Sequence, residues 1–107
     1  MQPDVICHVA IADDWEMSRG FGEYEVSTRG VPIDAVGYIR AVVAERVAEV
    51  VAARYADLTL PLLRVDLSVS GLRSAGVAVE WHDGDPRILG AIPMDSDVVI
   101  AEVPLTS

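Results

Sequence analysis

Few side chains in this 107-residue chain can move a proton or hold an anion. His8 and His82 exchange a proton near neutrality, whereas arginines such as Arg40 and Arg87 stay cationic, because the guanidinium pKa exceeds ~12. An arginine grips a carboxylate or phosphate through paired hydrogen bonds but is a poor general base. Arg40 and Arg87 therefore point toward anion binding, in competition with pairing to the chain's own carboxylates. The single cysteine, Cys7, cannot form an internal disulfide; between Ile6 and His8 in a strand-like run, it reads as a small buried hydrophobe. The two histidines lie far apart and no Cys-rich or His-x-x-x-His spacing supplies a ligand set, so no metal is expected. His82-Asp83-Gly84-Asp85 reads as a polar turn. There is no Gly-x-Gly-x-x-Gly fingerprint, phosphate loop or Gly-x-Ser-x-Gly elbow, and Ser27-Thr28 reads as a turn or cap pair.

Charge narrows the partners. Seventeen acidic residues against eight basic ones give a net charge of −9, which repels phosphate backbones at long range and argues against nucleic acid. A small anion is a different matter, since local positive groups override the global field inside a cleft. No apolar run approaches the ~20 residues that span a bilayer. The N-terminal segment also lacks the basic residues and apolar core of a signal peptide, so a cytoplasmic protein without a membrane partner is expected. The length fits a single domain, 1–107, able to bury ~65% of its unfolded surface.

These groups must be positioned by a few elements, and the clearest is a strand, helix, strand unit over 37–67. Val43, Val47, Val50, Val51 and Tyr55 recur at helical spacing and make one apolar stripe, with Glu45, Arg46, Glu49 and Arg54 mostly on the wet side. Gly37-Tyr38-Ile39-Arg40 reads as a short strand before the helix, and 60–67 as an alternating strand after it. Upstream, 4–10 is a strand that sends Val5, Cys7 and Val9 one way and Ile6, His8 and Ala10 the other. A short helix follows over 12–19, with Asp13 and Asp14 in its first turn, Trp15 in the core and Gly20 as its stop. The glycine-rich 20–30 reads as a loop with at most a short strand at 24–26, and 68–76 as a surface connection. Strands over 77–81 and 98–103 flank an extended 87–93. Without regular βαβ alternation, this order predicts an α+β fold with two helices and an antiparallel or mixed sheet.

Taken together, Ile6-Cys7-His8-Val9-Ala10, Trp15, Gly22-Glu23-Tyr24, Gly37-Tyr38-Ile39-Arg40, the helix, the run from Leu62 to Leu67, Glu80-Trp81 and Pro86-Arg87-Ile88-Leu89-Gly90 form an order that resembles a bacterial family. It is called domain of unknown function nine-five-two and is grouped with the ADP-ribosyltransferase fold. The resemblance runs from about Val5 to Leu105 and implies a compact split sheet with a cleft. The family pattern has a first-strand histidine, matched by His8. It then has Gly-Phe-Ile-His followed closely by Ser, where this chain has Arg40 and then Val42, and Pro-His-hydrophobic-Tyr-Gly, where it has Arg87. Two motif histidines are thus arginines here.

In that fold's transferases a first-strand His or Arg touches the nicotinamide-adenine dinucleotide and a late-strand Glu assists chemistry. The resemblance accordingly implies His8 and Glu80 as catalytic candidates, NAD as a cofactor candidate, and a cleft uniting His8, Tyr24, Arg40 and Arg87 around an anionic small molecule. Two functional expectations follow. One is a non-catalytic relative of the transferases, monomer or homodimer, whose cleft binds an anion. The other is a small transferase-like or tailoring enzyme acting on a nucleotide or carboxylate.

Overall fold

The computed structural model describes residues 3–27 and 31–105, so Thr28 and the end of the predicted 20–30 loop lie outside the described residues. β1 (Val5–Ile11) pairs antiparallel with β4 (Leu62–Ser68), setting His8 opposite Val65. The other edge of β4 pairs with β8 (Val99–Leu105), with a register shift between Asp66 and Leu67. A second sheet has the order β3 (Ile39–Arg40), β6 (Asp85–Ile88), β5 (Val79–His82). A third consists of β2 (Glu23–Tyr24) and β7 (Ile92–Pro93). Every pairing is antiparallel. The two larger sheets meet where Cys7 and Val42 exchange backbone hydrogen bonds of 2.7 and 2.8 Å, on the edge of β1 away from β4.

β1 is thus covered on both faces, and its alternation is decisive. Ile6 and Ala10 enter a core with Trp15, Tyr24, Ile39, Val65, Leu72 and Ile88, while Cys7 and Val9 enter a second with Val42, Val47 and Tyr55. Most of the predicted stripe, Val47, Val50, Val51 and Tyr55, supplies that second core, whereas Val43 lies in extended backbone ahead of the helix and outside this core. α3 (Val47–Arg54) buries Val47, and Val50 and Val51 pack partly buried beside it. A 3-10 turn over Ala44–Arg46 leads into α3, and Tyr55 closes it with its hydroxyl on the Val9 carbonyl at 3.1 Å. α1 (Ala12–Ser18) places Trp15 in the first core at 0% exposure, where burial of so large a side chain contributes most.

The described residues hold four α-helices where the sequence predicts two. α2 (Ile33–Val36) is a single turn between Pro32 and Gly37, which ends it at φ 92°. α4 (Val69–Ser74) occupies the predicted surface connection. Ser68 caps it by accepting from the Gly71 N–H at 2.9 Å, and Val69 and Leu72 are buried. Its apolar side is one i, i+3 pair among serines and a glycine, too short for periodicity to register. The Asp83-Gly84 turn behaves as read: both residues have positive φ, 53° and 85°, as a tight two-residue hairpin between β5 and β6 demands.

Candidate functional site

His8 points from β1 into the first core at 1% exposure, so its ring must find partners within the protein. Nδ1 lies 2.6 Å from the Arg40 carbonyl oxygen and Nε2 3.1 Å from the Tyr24 hydroxyl. A carbonyl only accepts, so Nδ1 carries the hydrogen; Nε2 is then an acceptor and the Tyr24 hydroxyl donates to it. The chain from Tyr24 through His8 to Arg40 is fully satisfied by a neutral imidazole. Burial pushes the His8 pKa down to about 4, against an opposing pull from the Arg40 carbonyl. Burial likewise drives the Tyr24 hydroxyl far above its ordinary value, helped by Tyr55 and Asp14. The Tyr24 ring packs between His8, at 5.3 Å between centroids, and Trp15, at 4.8 Å.

This network fixes Arg40. Its carbonyl is held by His8, and its N–H donates to Ser27 Oγ at 3.3 Å. Both backbone groups therefore face away from β6, and Arg40 and Arg87, opposite each other in the register, form a non-hydrogen-bonded pair. The adjacent Ala41 N–H bonds to the Pro86 carbonyl at 3.3 Å, as that alternation requires. Such a pair brings side chains as close as a sheet allows, and here both carry positive charge. Tyr38, two residues before Arg40 and so on the same face, lies beneath both guanidiniums, 5.3 Å from that of Arg40 and 4.4 Å from that of Arg87.

Arg40 and Arg87 form part of the lining of a cavity of about 300 Å³, together with His8, Tyr38, Val42, Val50 and Ala53. Among the described residues neither guanidinium has a carboxylate within ion-pair distance. Other arginines of this acidic chain do: Arg19 reaches Glu16 and Glu102, Arg46 reaches Glu49 and Asp85, and Arg64 reaches Asp66. The Arg46 cluster lies at the same cavity, joining the start of α3 to the β5–β6 hairpin.

His8, Arg40 and Arg87 are thus brought to one cavity, and two other sequence candidates are not. Tyr24 stands behind His8 with its hydroxyl spent on Nε2, which makes it a support. Glu80 is opposite Arg87 in the register, yet its carboxylate turns to His82, 3.4 Å away, and is absent from the lining. Cys7 borders the cavity as a protonated thiol. Burial, with a 3.3 Å hydrogen bond donated to Asp66, pushes its pKa up to about 12, so it is a poor nucleophile. Sequence reasoning missed Tyr38, although strand alternation from Arg40 signals its place. It also missed Arg46, Glu49 and Asp85, whose meeting depends on tertiary structure. Among the described residues no three metal-ligating side chains gather, and no helix is long and apolar enough to cross a membrane.

Fold and site together define an α+β protein of antiparallel sheets with an arginine-walled cavity. No family model and no curated protein matches the chain. The fold is shared with a solved structure of protein CC0527 from Caulobacter crescentus, at a TM-score of 0.74 and 19% identity over 95% of this chain and 86% of that one. A double mutant of the same protein gives 0.75 at the same identity and coverage.

Proposed function

We propose that this chain is a small-molecule-binding protein of the ADP-ribosyltransferase-like type, whose cleft holds an anionic ligand on Arg40 and Arg87 without catalysing a reaction. The observation that carries this reading is the facing pair of arginines on the cavity wall, stacked on Tyr38 and lacking a carboxylate partner among the described residues. Two like charges in a close cross-strand pair repel, and the face of Tyr38 offsets only part of that repulsion. A bound anion relieves the rest while accepting charge-assisted hydrogen bonds from both forks.

What supports binding over catalysis is the state of His8. Both ring nitrogens are engaged within the protein and the low pKa keeps it neutral, so it has no free lone pair or proton to offer a substrate. The same observation bears on NAD. The histidine that the family resemblance would set against the dinucleotide has no nitrogen left for it, and Glu80 lies off the cavity, so these residues do not fit that cofactor. The test is a calorimetric screen of carboxylates, sugar phosphates and nucleotides against the parent chain, with Arg40→Ala and Arg87→Ala as controls.

A further inference from the structure

The charge of the cavity lining narrows the ligand, in an argument that rests on the anion-site reading. Among the described residues four arginines border the cavity, Arg40, Arg46, Arg54 and Arg87. Among the same described residues three carboxylates, those of Glu49, Asp83 and Asp85, border it too. His8 adds no charge, because its buried ring is neutral in the hydrogen-bonded chain that holds it. His82, also on the lining, faces the Glu80 carboxylate at 3.4 Å, so among the described residues the arginines exceed the carboxylates of the lining by one within a chain of net charge −9.

The placement of these groups matters as much as the count. Arg46 is committed to Glu49 and Asp85, so that trio presents a net negative edge toward the β5–β6 hairpin, where Asp83 adds another carboxylate. A ligand with one negative charge on Arg40 and Arg87 neutralises the surplus. A second charge on the same head group finds no further surplus and meets the carboxylates of the same lining. The rest of the lining offers Val42, Val50 and Ala53, surfaces that gain by covering hydrocarbon. At about 300 Å³ the cavity lies at the small end of ligand sites.

We infer that the cavity selects a monoanion, a single carboxylate on Arg40 and Arg87 with a short apolar body against Val42, Val50 and Ala53, over phosphate dianions and polyphosphates.

The experiment is isothermal titration of the full chain at pH 8 with hexanoate, hexanamide, hexyl phosphate and ADP. Hexanoate binds tightest, ahead of hexyl phosphate and ADP by roughly fivefold or more, and uncharged hexanamide gives no heat. In Asp83→Asn, which keeps a residue tolerant of positive φ, the preference for hexanoate over hexyl phosphate shrinks by about threefold. If hexyl phosphate or ADP binds tightest, or if Asp83→Asn leaves the preference unchanged, the monoanion inference is overturned and the anion site stands. If none of the four binds, or if hexanamide matches hexanoate, the anion-site reading itself falls and takes this inference with it.

Discussion

His8 Nδ1 lies 2.6 Å from the carbonyl oxygen of Arg40, so the first strand's buried histidine fixes the backbone of a cavity-wall arginine. One consequence is a pH dependence with a definite sign. The folded pKa of His8, about 4, lies below the ordinary value of 6.5, so the unfolded chain binds the proton more readily. The stability due to neutral His8 is complete above about pH 6.5 and is lost as pH falls from 6.5 toward 4, a total of ~3 kcal/mol at ~1.4 kcal/mol per unit. Chemical denaturation at pH 7, 6 and 5, with an NMR titration of the imidazole, checks this. A His8 ring that titrates near 6.5 contradicts it.

Tyr24→Phe removes the hydroxyl that donates to His8 Nε2 and leaves a buried acceptor unpaired. The expected cost is ~1 to 3 kcal/mol in urea unfolding, with little change in packing because the ring is retained. An unchanged midpoint would mean that Nε2 does not depend on this bond.

Gly71→Ala tests the helix that sequence patterning overlooks. A Cβ at Gly71 overlaps the backbone carbonyl oxygen of Asp97, which has no rotamer by which to yield. Destabilisation of ~1 to 3 kcal/mol is expected from overpacking, against the slight gain that alanine brings to an open helix position. A more stable variant would show that α4 does not press on that loop.

How far the sequence revealed this arrangement depends on the range of each interaction. The α3 stripe, the faces of β1 and the Asp83-Gly84 turn are local patterns, and each was legible as such. The convergence of His8, Arg40 and Arg87 was expected only through the order of motifs that resembles a family. Their facing geometry is set by the β3–β6 register, which no local pattern encodes. Glu80 shows the limit of that route, since its register neighbour is Arg87 while its carboxylate goes to His82. Tyr24 reads from the sequence as a ligand contact because nothing in its surroundings announces that the hydroxyl completes the histidine network.

The central claim is that Arg40 and Arg87 together hold an anion, and titration calorimetry of the parent, Arg40→Ala and Arg87→Ala with the best-binding anion of the screen tests it most directly. Each alanine should weaken binding by ~1.5 to 3 kcal/mol, roughly 10- to 150-fold, while leaving the denaturation midpoint unchanged or raised as the like-charge pair is relieved. Binding unaltered in both variants, or a loss of affinity that merely follows a loss of fold, would show the two arginines to be structural and contradict the account.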